Sequence, residues 1–323
     1  MISGVTAATS YSDLTRDRYF VSSEGSEIRE DLVTTRVSGT ITSQDGALTQ
    51  TVRVACGGSD GFARVKHREA EFEEKTALAL DMLKATPVKA GSYRVILNQR
   101  LAGVFTHEAF GHFSEADLIE DSPSMRSRMQ LGAKLGTEIL NIKDDPTRRN
   151  QLGHYKYDDE GVPARSTQLM KDGVLVGRLH SRRTAAAFDE PVRGHAIAED
   201  FRYAPIVRMG CIFIEPGRSS FDDLCGQLGD GLYLVNTMGG HTEGENFTFA
   251  AQYGYQVKGG KIAGMIRDIN ISGNLYATLQ EIGAVGNDVL FVEAGRCGKG
   301  QFNIRSCFGA PHLIVDRVLI GGV

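Results

Sequence analysis

Glycine recurs 38 times in this 323-residue chain and divides it into short apolar runs. Runs of that length, closed by tight turns, favour β-structure over a helix bundle. The turn signals are explicit. "EIREDLVTTRVSGTITSQDG" is rich in β-branched residues and ends in Asp-Gly, a hairpin signal, and "LTQTVRVACGG" reads as its partner. "YDDEGVPARSTQLMKDGVLVGRLHS" carries Asp-Glu-Gly and Lys-Asp-Gly, and "GYQVKGGKIAGMIRDINISG" carries Gly-Gly-Lys. Helices are fewer. Residues 68–85 have a mostly apolar side supplied by Phe72, Leu78, Leu80, Met82 and Leu83, and Pro87 follows the end. A second helix is expected over 124–136, and "SYRVILNQRLAGVFTHEAFGH" runs from a strand into a helix. The pattern predicts an α+β fold in two parts. A partial α+β unit over 1–86 has strands within 17–56 and the helix 68–85. A β-rich domain of antiparallel sheets occupies 87–323, with a Pro/Gly interruption near 86–92 as the boundary.

Composition excludes several classes. The net charge of -4 is mild, and no lysine-arginine cluster suggests a nucleic-acid face. No run approaches the roughly 20 apolar residues of a membrane span. Residues 1–20 lack the basic start and apolar centre of a secretory signal, which places the expected compartment in the cytoplasm. The cysteines at 56, 211, 225, 297 and 307 are odd in number and irregularly spaced, which is no disulfide framework. The plain reading is reduced, partly buried thiols.

The stretch "THEAFGHFSEAD" carries the chemistry. His107, Glu108 and His112 resemble a zinc-protease helix with one residue too many. In a regular α-helix residues i and i+4 share a face, whereas i and i+5 are offset by about 140°. Two imidazoles at this spacing share a metal if the backbone makes a π-type turn, which closes i to i+5. A helix end at the permissive Gly111 would do the same. Two histidines beside a glutamate also arise by chance, so the motif alone leaves both readings open.

Cys297 in "EAGRCGKGQF" is the second candidate. Glycines at 295, 298 and 300 let the backbone fold tightly around the sulfur, and Arg296 and Lys299 would favour thiolate. The plainer reading is a buried structural thiol. A phosphate loop is excluded, because Glu293 stands where its first glycine should be and Gly300 where Ser or Thr is required. His195 and His241 lie in glycine-flanked loops, where functional residues concentrate. Each is read as a third ligand, a transition-state donor or a plain loop histidine. Arg208 could hold a substrate carboxylate, and Asp158, Asp159 and Glu160 read as a solvated turn.

The ordered set "HEAFGHFSEAD", "YDDEGVPA", "FRYAPIVRMGCIFIEPG", "NISGN", "GRCGKGQ" and "PHLIVDRVLIGG" resembles the TldD/PmbA family of bacterial and archaeal metalloproteases, historically called modulators of DNA gyrase. The resemblance runs from about residue 86 to the end and is weaker over 16–85. It implies a zinc peptidase acting on unfolded or flexible peptides, with one zinc per chain. His107, His112 and Cys297 would be the ligands and Glu108 the base. It also implies a closed dimer, as a homodimer or with a homologue lacking the motif. This chain keeps the motif and so resembles the TldD-type subunit. The alternative is a non-catalytic regulatory or peptide-binding subunit with a gyrase-modulator role. Family members carry a longer N-terminal domain than residues 1–85 provide.

Overall fold

Two strands rich in β-branched residues and too long for ordinary sheets open the chain. The structure, a computed structural model, describes residues 4–321. Strand β1 (Gly4–Val21) pairs antiparallel with β2 (Glu27–Asp45), which pairs antiparallel with β3 (Leu48–Gly58). The Asp-Gly signal falls at the β2–β3 turn, where Gly46 takes φ 58°. Strand structure begins well before residue 17, because "GVTAATSY" continues the pairing with β2. Helix α1 (Glu69–Met82) covers one face of this sheet, burying Ala79 and Met82 against Ile41, Val52 and Val54. Tyr253 and Met265 pack against the same cluster, so the N-terminal sheet leans on the body of the molecule.

The body is built around a closed ring of strands. Strand β4 (Thr86–Pro87) attaches at one end, and β5 (Gly91–Leu97) lies between the strands Gly231–Glu243 and Leu313–Gly321. The order continues through Ile269–Asn274 to Asn246–Lys258, which also pairs with Gly231–Glu243 and closes the circuit. Two of the sequence's turn signals make tight hairpins here. Asp172–Gly173 and Gly259–Gly260 all take positive φ, as a primed turn requires. A second sheet orders Leu290–Phe291, Cys307–Ala310, Cys211–Ile214, Ile142–Asp144, Thr167–Lys171 and Val174–Leu175.

Two expectations need correction. The sheets are mixed rather than antiparallel: β5 runs parallel to Gly231–Glu243, and Cys211–Ile214 runs parallel to Cys307–Ala310. Both pairs are joined by long crossovers, which suit parallel strands. The helix expected over 124–136 covers only Pro123–Arg128. Gly132 at φ 89° ends any continuation, and the chain then hydrogen-bonds across to 173–175, through Gly132 N to Leu175 O and Leu135 N to Gly173 O. No helix of the described residues is long and apolar enough to cross a membrane.

Candidate metal centre

The site begins with a capped helix. Asn98 accepts a hydrogen bond from Leu101 N at 3.0 Å and starts α2 (Gln99–Phe105) directly after β5. Leu101, Ala102 and Phe105 face the core, joined by Ala109 and Phe110 from the next segment. Burying a large apolar side chain contributes about 1.5–3 kcal/mol, so this run is firmly anchored. The backbone then widens into a π-helix over Thr106–Gly111 and tightens into a 3₁₀ turn over His112–Ser114. The wide turn places the His107 and His112 rings 5.2 Å apart, edge to face.

Gly111 has right-handed helical φ and ψ of -59° and -49°, so its conformational freedom is not what the site uses. It supplies room instead. A Cβ there would lie 2.1 Å from Met209 Sδ and 3.1 Å from Ile212 Cδ1.

Cys297 arrives on a two-residue strand, Arg296–Cys297, paired with Ile304–Arg305. Its Sγ lies 2.9 Å from His107 Nε2 and 3.5 Å from His112 Nε2. One donor atom from each of His107, His112 and Cys297 lies within 4.8 Å of the others, so a single metal ion can reach all three. Glu108 stands beside them, its carboxylate 3.7 Å from His112 Nε2 and its side chain 39% exposed. Phe308 packs on His107 at 5.2 Å between ring centres and walls the other side.

Behind these groups lies a buried charge network. Glu115, fully buried, accepts from His112 Nδ1 at 3.2 Å and from Lys299 Nζ at 2.9 Å, and Arg208 Nη1 lies 3.3 Å away. Lys299 Nζ also binds Asp117 at 2.8 Å and the Val207 carbonyl at 2.9 Å. Glu115 thus fixes the His112 ring so that Nε2 faces the sulfur, an arrangement common behind metal-bound histidines. His107 Nδ1 has no such partner among the described residues.

These contacts set the charges. Burial opposes ionisation of the Cys297 thiol, but His107, His112 and Arg208 outweigh it and bring the thiol down to about 5. Burial also opposes the charged form of His112, yet Glu115 and Cys297 raise it to about 10. Glu115 itself resists burial through Arg208, His112 and Lys299 and falls to about 2. Thiolate is therefore favoured by groups other than those expected from sequence: Arg296 is exposed, and Lys299 is engaged by carboxylates.

The remaining sequence candidates are placed differently. His195 is completely buried, with Nε2 3.1 Å from Asp144, and its carbonyl accepts from Arg208 N. Its pairing with Asp144 keeps it outside the donor cluster, and its burial keeps it from a substrate. Arg208 is 1% exposed and faces Glu115 and Cys297, so it cannot take a substrate carboxylate. His241 is exposed on Gly231–Glu243, opposite Thr248, and is not in the donor cluster. Asp158 is not a solvated turn residue. It is buried and accepts from the backbone NH groups of Glu160, Val162 and Ala196. Glu115 and Asp117 were not singled out in the sequence, although Glu115 follows His112 at the i+3 spacing that lets helical neighbours meet.

Two imidazoles, a thiol and an adjacent carboxylate around one point make a donor set of the kind that holds a metal ion. The comparisons narrow this. Residues 90–322 match the PmbA/TldA metallopeptidase C-terminal domain, and the chain belongs to the TldD/PmbA family. A metalloprotease of Synechocystis is 36% identical over 313 residues, covering 97% of this chain and 68% of that protein. A zinc metalloprotease TldD homolog of Saccharolobus solfataricus is 31% identical over 318 residues, covering 97% and 70%. The fold is similar to a Thermotoga maritima protein described as a candidate modulator of a DNA gyrase, with TM-score 0.80 at 21% identity, covering 97% of this chain and 68% of that one. It is also similar to TldE from Thermococcus kodakarensis, with TM-score 0.76 at 19% identity, covering 98% and 69%.

Proposed function

We propose that this chain is a zinc-dependent peptidase acting on unfolded or flexible peptides, with His107, His112 and Cys297 as ligands, one zinc per chain and Glu108 as general base. The observation that carries the reading is the convergence of those three donors beside a solvent-reachable carboxylate. The donor set suits zinc. Tetrahedral zinc with Zn–N of about 2.0–2.1 Å and Zn–S of about 2.3 Å holds its donors about 3.3–3.6 Å apart. The His112–Cys297 separation of 3.5 Å lies within that range, and the His107–Cys297 separation of 2.9 Å is shorter than it, so these two donors would move apart to take the ion.

Zinc held by His107, His112 and Cys297 would supply Lewis acidity that acidifies a water. Glu108 takes the proton of the attacking water and delivers it to the leaving nitrogen. Glu115 keeps His112 aimed, and Phe308 excludes water beside His107. Of the three groups suggested as substrate partners, His241 alone is open to solvent, and we keep it as the candidate oxyanion donor. Gly231–Glu243 pairs with β5 only over Leu232–Leu234, and beyond Asn236, whose NH is held by Asn98, that edge pairs with no strand among the described residues and runs beside the π segment. A peptide binding there as an added strand would be held by main-chain hydrogen bonds with low sequence selectivity.

Glu108→Ala tests the reading. The variant should retain zinc and lose cleavage of unfolded casein by roughly a hundredfold or more. In parallel, Cys297→Ala should lose zinc in elemental analysis. Wild-type protein that holds zinc and does not cleave would favour the second reading, a non-catalytic regulatory or peptide-binding subunit. We infer further that the chain acts as a dimer, with a second copy or with a homologue lacking the motif.

A further inference from the structure

The ribbon that carries Cys297 has a second face. Arg296 pairs with Arg305 and Cys297 with Ile304, and successive residues of a strand face opposite sides. Arg305 therefore lies back to back with the metal centre, in a cavity of about 340 Å³ between the ribbon and the N-terminal sheet. Arg16 from β1 and Arg36 from β2 line the same cavity. Arg36 Nη2 donates to the Gly295 carbonyl at 2.9 Å, two residues before Cys297, and Arg16 donates to the Glu199 carbonyl.

The same cavity is lined by two carboxylates, Glu199 and Asp200, against the three guanidiniums, which leaves one positive charge in excess. The Arg305 side chain makes no hydrogen bond or ion pair to any described residue, and its Nε and that of Arg36 are sealed from solvent without a partner. Burial, followed by Arg16, lowers Arg305 to about 10, with Arg36 adding to the effect and Glu30 opposing it. The neighbouring carboxylates are already engaged. Glu30 holds Arg18 and the Lys156 NH, Glu199 accepts from Phe302 N at 2.8 Å and Asn303 Nδ2 at 3.2 Å, and Asp200 is paired with Arg202. All three arginines are half-buried, a sealed guanidinium nitrogen without a partner is costly, and guanidinium forks match oxyanions.

We propose that Arg16, Arg36 and Arg305 form an oxyanion-binding site that braces the Cys297 ribbon from behind. The ligand is one compact oxyanionic group. A free phosphate and a carboxylate on a peptide both supply that chemistry. The site stands on its own geometry and does not depend on the peptidase reading.

The test is isothermal titration and thermal unfolding of the full chain with inorganic phosphate, at ionic strength matched with chloride. A separate arm uses a glutamate-containing peptide against its glutamine counterpart, on the Glu108→Ala variant so that nothing is cleaved. Phosphate, the acidic peptide or both should bind and raise the unfolding temperature, and the arm that responds identifies the source. Arg305→Met should weaken that binding at least about tenfold. In chloride alone it should be no less stable than wild type, because it removes a half-buried cation whose side chain has no protein partner. Arg16→Gln, which keeps a donor, should weaken binding in the same direction and serves if Arg305→Met does not fold. Neither ligand exceeding its control would overturn the proposal, as would Arg305→Met binding like wild type or being less stable in chloride.

Discussion

Glu115 shows how one buried carboxylate governs the centre. It holds His112 by Nδ1, anchors Lys299 and faces Arg208, so a single side chain links the histidine motif to the cysteine loop. In metal-free protein the pKa shifts leave Cys297 as thiolate above about 5 and His112 protonated below about 10. The thiolate's contribution to stability is complete above its ordinary 9.0 and is lost as pH falls through about 5. That of His112 is complete below 6.5 and is lost as pH rises through about 10. Zinc held by the proposed ligands at neutral pH would then displace the His112 proton and none from Cys297. Apparent zinc affinity should rise roughly tenfold per pH unit between about 7 and 9, with about one proton released per ion. Chelator competition across pH and calorimetry in buffers of different ionisation enthalpy read both quantities. Glu115→Gln should reduce the proton release and weaken zinc by about 10- to 100-fold. A flat affinity profile over that range would show that His112 is not protonated in the metal-free site.

At the scale of elements, the π segment decides whether the histidine spacing works. For both histidines to meet at one point, the His-Glu-x-x-x-His spacing requires either a π-type turn or a helix end at Gly111, and the structure takes the first, a choice that residue count left open. The role of Gly111 was not legible either, because its neighbours Met209 and Ile212 lie about a hundred residues away and only folding brings them there. The same holds for the helix expected over 124–136, where local propensity gave way to pairing with 173–175. His195 and Arg208 illustrate the limit from the other side. Both read as possible partners of a substrate in the sequence, and long-range packing buried both. Gly111→Ala should overpack this contact and cost about 1–3 kcal/mol, with weaker zinc binding as the π turn shifts. Met209→Ala in the same chain should restore part of both losses, read by thermal unfolding with and without chelator. If the double variant binds zinc no better than Gly111→Ala alone, the Met209 contact is not what requires glycine there.

For the whole molecule, the conspicuous feature is the arm made by β1 and β2. β1 is the edge of its sheet, and Tyr11, Leu14, Tyr19 and Val21 are 51–63% exposed along it. An edge strand of 18 residues offers its unpaired backbone groups to another chain, and soluble proteins normally cover or charge such an edge. The β-character of residues 17–56 was legible in the sequence, but the extension to Gly4 and the exposure of this edge were not, since both depend on register with β2. The chain covers 68% and 70% of the Synechocystis and Saccharolobus relatives, so assembly is a question for the protein in solution. A closed two-fold dimer is the commonest oligomer, and pairing through this arm would use the same surface on both copies. We expect light scattering to give twice the chain mass, alone or after mixing with a motif-lacking homologue. Leu14→Lys combined with Tyr19→Lys, which places charge on the edge, should shift the equilibrium to monomer while leaving zinc content per chain unchanged. A wild-type chain that stays monomeric with and without such a homologue across a wide concentration range would remove the dimer from the mechanism. A dimer that survives both lysines would move the interface away from β1.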